Sequence, residues 1–205
     1  MGRNARQEAI LASGRALFLR HGIRKVRVEE ICVDARVSKR TFYKYFRDKN
    51  ALAVEVLAQL FQDGRSQIES IFDADVPIEE KVQRIIAVKS KLASETTAVF
   101  YREAMDNRTE PGRFALQEQR AWDDRVRRFY LEAQERGQIR GDIDIDVLMA
   151  VLVRLRALVS DPELMRLVSD FSGLVEVLMK LLFYGMIPRT APHSGRGATK
   201  RRKKS

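Results

Sequence analysis

The residues from 37 to 46 have the types and the spacing that suit reading of a DNA duplex. They run Val-Ser-Lys-Arg-Thr-Phe-Tyr-Lys-Tyr-Phe, and in a helix Phe42 and Phe46, four residues apart, share one face. Because both are large and apolar, that face is expected to pack inward and to leave Arg40 and Lys44 on the opposite face. Arginine can bind guanine edges with two hydrogen bonds, threonine can touch a thymine methyl group, and tyrosine can reach a phosphate. The segment therefore predicts a short helix that reads the major groove.

The same residues also have a purely structural interpretation. Tyr43 and Tyr45 fit as half-buried residues of a helical bundle, and the basic side chains beside them fit as a solvated face. Cys32 fits as a small core residue better than as a redox sensor. The spacing alone leaves both interpretations of the tyrosines open.

Short helices with tight connections are predicted to position this segment. The first ends at Gly22, and the second covers residues 28–35. Ser38 is the expected N-cap of the third helix, residues 39–46, and Asp48 is the expected N-cap of a longer fourth helix. The second and third helices, joined by a turn, are thus followed directly by the start of the fourth.

The chain beyond residue 73 keeps a helical pattern and shows no repeat and no alternating strand pattern. We therefore expect an all-α protein of about nine helices. Pro77 is expected in the first turn of one helix, and a further helix is predicted over 97–107. A break at Pro111-Gly112 is followed by a helix over 113–136, and Asp144 is the expected N-cap of a helix that continues to about 159. Asp161, followed by Pro162, is the expected N-cap of a last apolar region that is interrupted near Gly173 and continues to 187.

Charge is concentrated at the two ends of the chain. Residues 1–50 have a net charge of +8, residues 189–205 of +7, and the residues between them of −5, which gives the total of +10. A basic N-terminal part before an acidic middle favours an anionic polymer as partner, although a solvated basic face is the alternative. The tail over 189–205 is expected to be disordered, and it is either a solvated end or an arm that contacts DNA phosphates.

Composition and motifs exclude several other classes. One cysteine and two histidines exclude a disulfide framework and a Cys/His zinc site. No apolar run reaches the ~18 residues of a membrane span, and the N-terminus is too charged for a signal peptide. The chain has neither a phosphate-binding loop nor a nucleophile triad in any recognised arrangement. We expect a cytoplasmic protein that is not an enzyme, has no cofactor or metal and does not contact a membrane.

A longer pattern extends from Ala9 to Leu57. It consists of Ile10-Leu11, Leu17-Phe18, Gly22, Val28, Ile31, Ala35, Val37-Ser38-Lys39, Thr41-Phe42-Tyr43, Tyr45-Phe46, Lys49 and Ala51-Leu52. In these residues the chain resembles the DNA-binding domain of TetR/AcrR-type transcriptional regulators. The resemblance implies a helix-turn-helix domain over residues 1–50, a helical effector-binding and dimerisation domain over 51–188, and the basic tail over 189–205.

The resemblance also implies which residues contact DNA. A homodimeric regulator, more often a repressor, would bind double-stranded DNA at a palindromic operator and leave it when a small apolar or amphipathic effector binds. A DNA-binding protein of the same fold that organises the nucleoid without regulating genes is the alternative. The DNA contacts implied by resemblance are Ser38, Lys39, Thr41, Tyr43, Tyr45 and Lys49, with Lys44 facing the bases.

Three residues depart from the family's pattern. Arg27 lies where the family usually has the capping Ser or Thr of the second helix; its charge could keep a phosphate contact, but the cap is lost. Arg36 replaces the turn glycine and is expected at positive φ. Arg40 replaces a small residue and adds a long donor at the groove.

Two further sets of residues are candidates for effector binding and dimerisation. Central aromatic and apolar residues are interpreted first as ordinary core, with the lining of an effector pocket as the functional alternative, and the sequence does not separate the two. Two nearly all-apolar segments, 147–159 and 174–187, predict helices that are buried on more than one side, and the resemblance places the dimer interface there. The candidates are Phe100, Tyr101, Trp122, Val126 and Phe129 for the pocket, and Leu148, Leu152, Leu155, Leu174, Leu178 and Leu181 for the interface.

Overall fold

The computed structural model describes residues 4–158, 161, 163–167 and 170–187, and it is all-α over those ranges, as predicted. The predicted basic tail over 189–205 lies outside them. The elements are α1 (Ala5–His21), α2 (Val28–Asp34), α3 (Lys39–Tyr45), α4 (Lys49–Asp73), α5 (Ile78–Ser94), α6 (Ala98–Ala104), α7 (Glu110–Glu135), α8 (Ile145–Leu158), a 3-10 turn (Leu164–Arg166) and α9 (Phe171–Met186).

Short polar side chains start most of these helices. Ser38 Oγ accepts a hydrogen bond from Thr41 N at 3.1 Å, and Asp48 Oδ1 accepts one from Ala51 N at 2.9 Å. Both N-caps are as predicted, and each satisfies a backbone donor that a helix start leaves unpaired. At the other end of α1, Gly22 adopts φ +83° and donates to the Phe18 carbonyl, so the predicted helix stop is confirmed.

The predicted break at Pro111-Gly112 is wrong, because both residues lie inside the first turn of α7. Thr109 caps that turn by accepting from Gly112 N at 3.1 Å, and a proline is tolerated there since its missing N–H would have had no partner. A Cβ on Gly112 would lie 2.0 Å from the Asp106 carbonyl oxygen. The pair therefore marks a helix start and a close backbone approach.

The interruption predicted near Gly173 lies earlier in the chain. Asp161 Oδ1 accepts from Glu163 N and Leu164 N and starts only the 3-10 turn. α9 begins at Phe171, where Asp170 Oδ1 accepts from Gly173 N at 2.7 Å. Gly173 thus belongs to the first turn of the last helix.

Two large apolar clusters organise the fold. The first joins α1, α2, α3 and the first half of α4, which we call the head, and it includes the fully buried Phe18, Phe42 and Leu52. The second lies in the C-terminal bundle, formed by the rest of α4 with α5 and α7–α9, and includes Val82 and Phe129. A smaller third cluster contains Ala93, Phe171 and Val175. α4 runs without a break through both large clusters.

The core of the head is completed by residues from beyond it. Phe100 and Ala104 of α6 and Ala115 of α7 are buried in the first cluster together with the head's own residues. Consequently α3 is supported by a core to which both halves of the chain contribute. Over the described residues, no helix is long and apolar enough to cross a membrane.

Candidate nucleic-acid interface

One face of helix α3 is buried in the core of the head, and the opposite face is exposed. Phe42 is fully buried and Phe46 is 4% exposed, and their rings lie 5.8 Å apart between centroids. Arg40 and Lys44 are exposed on the opposite side, as the spacing predicted. Apart from the Lys44 ammonium, 5.7 Å from the centroid of the Tyr45 ring, neither side chain contacts a partner in the part of the chain that the structure describes. Both cations are therefore available to an external anion.

The turn before α3 has the predicted strain. Arg36 has φ +53°, and it is the one non-glycine residue at positive φ within the described ranges. The turn closes when Val37 N donates to the Cys32 carbonyl at 2.9 Å. A non-glycine residue in this region of φ costs on the order of 1 kcal/mol, which the buried residues on both sides of the turn must offset.

Arg27 starts α2 without a side-chain cap, as its residue type predicted. A guanidinium has no acceptor and cannot bind a helix N–H. Glu30 compensates in part, because its Oε2 accepts from Arg27 N at 2.6 Å, which is half of a capping box. The Arg27 side chain itself is exposed, so its contact with phosphate stays a prediction.

Lys39 is engaged within the protein. Its ammonium forms an ion pair with Glu29 across the turn, and both side chains are more than half exposed. The hydrogen bond from Lys39 lowers the pKa of Glu29, and the same contact raises the pKa of Lys39. Exposed pairs of this kind contribute little to stability, so Lys39 can exchange Glu29 for a phosphate at small cost.

Lys49 binds backbone carbonyls of its own chain, and its contact with a DNA phosphate stays a prediction. Its Nζ donates to the carbonyls of Arg24 at 2.9 Å and Val26 at 2.7 Å. Burial lowers the pKa of this half-buried ammonium, and the nearby Glu103 and Glu30 oppose that shift. Two of its three hydrogens therefore bind the loop between α1 and α2, and any phosphate contact would have to use the third.

The remaining predicted contacts of α3 differ in exposure. Tyr43 is 55% exposed and packs edge-on against Phe42, with ring centroids 5.3 Å apart. Tyr45 is half-buried against the first cluster. It therefore fits the interpretation as a packing residue of the helical bundle better than Tyr43 does. Thr41 is half-buried and places its Oγ1 3.0 Å from Ser38 Oγ. The DNA contacts assigned to these residues and to Ser38 stay predictions.

Acidic residues of α6, of the loop after it and of the first turn of α7 form ion pairs and hydrogen bonds with the head. Arg24 pairs with Asp106, its backbone N–H donates to Glu103 Oε2 at 2.9 Å, and Arg47 pairs with Glu110 at 2.7 Å. The guanidiniums of Arg108 and then Arg24 hold the pKa of Asp106 well below its usual range. The sequence carries no local signal for these contacts, because the partners are 63 to 82 residues apart.

Two cavities lie at this junction. One of about 220 Å³ is lined by Ile23, Lys49 and Pro111 among others, and one of about 260 Å³ by Arg102 and Arg108. Both have Arg24 and Glu103 in their walls. Their volumes fall below the range of about 300–1,000 Å³ typical of ligand sites.

The five residues predicted to line a pocket are divided among the three apolar clusters. Phe100 is buried in the first cluster, which supports the head, and its place in an effector pocket stays a prediction. Tyr101 packs against the third cluster, with its ring centroid 5.6 Å from that of Phe171. Trp122, Val126 and Phe129 all pack in the second cluster, and Phe129 stacks on Phe72 at 4.0 Å. At most the half-buried Tyr101, Trp122 and Val126 retain surface for a ligand.

The six leucines predicted at a dimer interface lie on different faces. Leu148, Leu174 and Leu178 are already buried within one chain and leave little surface for a partner, so their place in an interface stays a prediction. Leu152 and Leu155 are half-buried, and Leu181 is 71% exposed. The large exposed apolar residues of these two helices are Val147, Val151, Val153 and Leu158 on α8 and Val177, Leu181 and Tyr184 on α9. All of them except Val153 lie on one stripe of their helix.

Comparison with known proteins agrees with this geometry. Residues 10–56 match the sequence model of the family described as bacterial regulatory proteins, tetR family. The chain is similar to the HTH-type transcriptional repressor DhaR of Mycobacterium sp. (strain GP1), with 27% identity over 161 residues that cover 75% of this chain and 79% of DhaR.

Solved structures share the fold at lower sequence identity. The fatty acid degradation regulator FadR from Bacillus halodurans superposes with a TM-score of 0.72 at 19% identity, covering 90% of this chain and 98% of that one. FadR from Bacillus subtilis, solved in complex with stearoyl-CoA, superposes with a TM-score of 0.69 at 17% identity, covering 87% and 98%. The helical bundle after the head is thus shared as well as the head.

Proposed function

Because this chain belongs to the TetR family of bacterial regulatory proteins, we propose that it is a homodimeric repressor whose palindromic operator is released when a small effector binds. The observation that carries the proposal is the exposed basic face of α3. Within the described ranges, Arg40 and Lys44 are exposed cations without ionic partners, on a helix whose other face is held by Phe42 and Phe46. Such a helix can enter a major groove without rearrangement, and the chain is similar to the repressor DhaR over 75% of its length.

The exposed apolar stripes on α8 and α9 support the homodimer. Each of these two helices leaves three large apolar side chains exposed on one stripe, and exposed apolar surface of this kind marks interaction sites. A two-fold axis that brings both helices against a second chain would form a four-helix contact between the two chains. It would also present two copies of α3 to one duplex, as half-sites about 34 Å apart require.

The effector proposal rests on the C-terminal bundle and on its ties to the head. A ligand that moves α6 relative to the head acts on the contacts of Arg24 with Glu103 and Asp106 and thereby on the spacing of the two α3 helices. A structural neighbour, FadR from Bacillus subtilis, was solved with stearoyl-CoA, an amphipathic molecule. We therefore keep a small apolar or amphipathic effector as the proposal.

Selection of genomic DNA fragments by the purified protein, followed by footprinting, tests the proposal. A repressor should protect one or a few discrete sites with two-fold symmetry. The alternative, a nucleoid-associated protein of the same fold, predicts many dispersed sites without a shared palindrome, and that result would overturn the regulator. The matching relatives are transcriptional regulators, which is consistent with the expectation that the chain is not an enzyme and acts in the cytoplasm.

A further inference from the structure

Three arginines surround one of the two cavities where the head meets α6 and α7. Arg24 lies in the loop between α1 and α2, Arg102 on α6 and Arg108 in the loop before α7, and all three line the cavity of about 260 Å³. We call them the junction arginines. Because two of them lie outside the head, the basic surface of the protein does not stop where the head ends.

Asp106 holds two of the junction arginines in place. Arg108 donates from Nε to Asp106 Oδ1 at 2.8 Å and from Nη2 to Oδ2 at 2.9 Å, and Arg24 Nη2 donates to the same Oδ2. The Asp106 side chain is only 11% exposed, whereas those of Arg24 and Arg108 are 60% and 81% exposed. The carboxylate therefore lies beneath two guanidiniums that face solvent, and each guanidinium keeps further N–H groups for another acceptor.

Arg102 adds a third guanidinium at the same cavity. It is exposed and forms no ion pair or hydrogen bond within the described ranges. Glu103 also lines this cavity, but it is half-buried and its Oε2 accepts from Arg24 N at 2.9 Å. Three positive charges thus face two negative ones that are less accessible and already hydrogen-bonded, so the surface presented to solvent is basic.

The junction arginines continue the basic surface of the head. Arg24 and Glu103 line the neighbouring cavity too, together with Lys49 at the start of α4, and the Lys49 ammonium donates to the Arg24 carbonyl at 2.9 Å. Arg47, directly after α3, pairs with Glu110 in the first turn of α7. The residues that follow α3 therefore lie against the start of α7, beside the junction arginines.

We propose that the junction arginines bind a backbone phosphate on the flank of each half-site, outside the base pairs that α3 reads. This inference rests on the operator binding proposed above and extends the DNA-contact surface from the head to α6 and the loop after it. A duplex that holds α3 in its major groove carries its backbone past both ends of that helix. The flanking phosphates then lie on the side of Arg47 and Lys49.

The chemistry of the cavity suits a phosphate group of DNA. Guanidiniums form charge-assisted hydrogen bonds with phosphate, often two at a time. At about 30 Å³ per water molecule, the cavity has room for one phosphate group and several waters, although it is smaller than most ligand sites. Contacts of this kind position the protein on the duplex and add affinity without reading sequence.

Operator fragments of two lengths test the location of the contact. One fragment ends at the outermost base pair that α3 reads, and the other extends by one helical turn, about 34 Å, on each side. The measured quantity is the slope of log affinity against log salt, to which each neutralised phosphate contributes about 0.9. Longer DNA attracts any basic protein more strongly, so variants are compared on the same fragment.

Replacing both Arg102 and Arg108 by alanine should affect only the extended fragment. One phosphate per protomer gives two per dimer, so the slope should flatten by about two on the extended fragment and stay unchanged on the short one. Base preference should stay the same on both. Arg24 is kept, because its contacts with Asp106 and Glu103 also hold the head.

Arg136→Ala is the matched control. It removes an equal charge from an exposed position directly after α7. At 1.5 Å per residue, the 26 residues of α7 place Arg136 about 39 Å from the start of that helix, so its loss should leave both slopes unchanged. Thermal unfolding should give the double variant the Tm of the original chain within about 2 °C, since exposed ion pairs contribute little to stability.

Neutral linkages in the DNA provide the reciprocal test. Methylphosphonates in the flanks of the extended fragment remove phosphate charge and keep the length of the duplex. They should weaken binding of the original chain more than binding of the double variant. Equal weakening of both proteins would mean that the flank acts only through the general charge of the duplex, and the proposed contact would be wrong.

The remaining outcomes each decide against the inference. If the slopes of the double variant are unchanged on both fragments, the junction arginines are a solvated surface. If they flatten equally on both, the contact lies within the operator and not on its flank. If inorganic phosphate binds the original chain but not the double variant in calorimetry without DNA, while the slopes are unchanged, the cavity takes a free oxyanion instead of the duplex.

The inference and the proposed function can fail separately. A discrete two-fold operator with unchanged slopes leaves the repressor standing and makes the inference wrong. If selection of genomic fragments yields no discrete site, the repressor is wrong, and the double variant is measured on unrelated duplex instead. A flatter slope there supports the phosphate contact of the junction arginines, and an unchanged slope overturns it.

Discussion

Arg40 and Lys44 owe their accessibility to the two phenylalanines on the other side of α3. Phe42 and Phe46 fix the rotation of the helix, and the cap by Ser38 fixes its start. Arg40 has no internal partner in the described structure, in contrast to Lys39, which pairs with Glu29. Specificity should therefore depend on Arg40 more strongly than on its neighbour.

Replacing Arg40 by alanine should weaken binding to the preferred operator by about 1–3 kcal/mol and relax one base position in each half-site. Fluorescence anisotropy with the operator and with single-base variants measures both effects. Arg136→Ala is the matched control, because it removes an equal charge from an exposed position at the end of α7. If Arg40→Ala leaves affinity and base preference unchanged, α3 does not read the groove as assigned.

Replacing Lys49 by methionine should act on stability more than on DNA. The Arg24 and Val26 carbonyls would lose their donor, which should lower the free energy of unfolding by about 1–3 kcal/mol. Urea denaturation measures this change. Lys44→Met is the comparison, since that exposed ammonium has no acceptor in the described structure: stability should hold and DNA affinity should fall. The reverse pattern would restore Lys49 to the phosphate contacts.

The residues that sequence reasoning assigned correctly have local causes. The Ser38 cap and the positive φ of Arg36 follow from residue type within a few positions of the turn. The position of Lys49 and the ion pair of Arg24 with Asp106 depend on groups 23 to 82 residues away, for which spacing carries no signal.

At the scale of elements, proline and glycine can mark either the end or the start of a helix. Pro111 and Gly112 were interpreted as a break because both residues often end helices, yet at the start of α7 the proline N–H is dispensable and the glycine permits contact with the Asp106 carbonyl. The order and number of helices were nevertheless predictable, because the apolar spacing extends over whole helices.

The faces of α8 and α9 were harder to assign than the helices themselves. Both helices are apolar nearly all round, so the sequence does not mark which side meets the chain's own core. The structure turns Leu148, Leu174 and Leu178 inward and leaves Val147, Val177 and Leu181 outside. The proposed dimer interface is therefore drawn from the exposed residues of these two helices.

A lysine at Leu181 should convert the homodimer into monomers, because a charge would be buried without a partner at the contact. Sedimentation velocity at micromolar concentration measures the change, and operator affinity should fall with it. Val33→Lys is the control, since Val33 is equally accessible but lies on α2 in the head. A dimer that survives Leu181→Lys would place the interface elsewhere, and a monomeric original chain would exclude the homodimer.

For the whole molecule, charge is distributed in the way that DNA binding requires. The head carries a net charge of +8 over residues 1–50, and the acidic middle should turn away from the duplex. The predicted division at residue 50 stays a prediction, although α4 begins at Lys49 and continues into the bundle.

Deleting the basic tail should change affinity without changing sequence preference. Residues 189–205 carry seven positive charges and no acid, and if three of them neutralise phosphates, their loss should reduce the slope of log affinity against log salt by about three. Titrations at several salt concentrations with operator and with unrelated DNA measure the slope. An unchanged slope would make the tail a solvated end, and an altered base preference would contradict a purely electrostatic arm.

The burial of Phe100, Ala104 and Ala115 in the core of the head bears on how such regulators can be recombined. A chimera that joins this head to a foreign sensor at the end of α3 would leave those three contacts to whatever side chains the new sensor offers. A transplant that keeps specificity for the operator should therefore carry α6 and the start of α7 along with the head. Modularity in this protein follows the boundary of its core, which the linear chain crosses three times: along α4, before α6 and within α7.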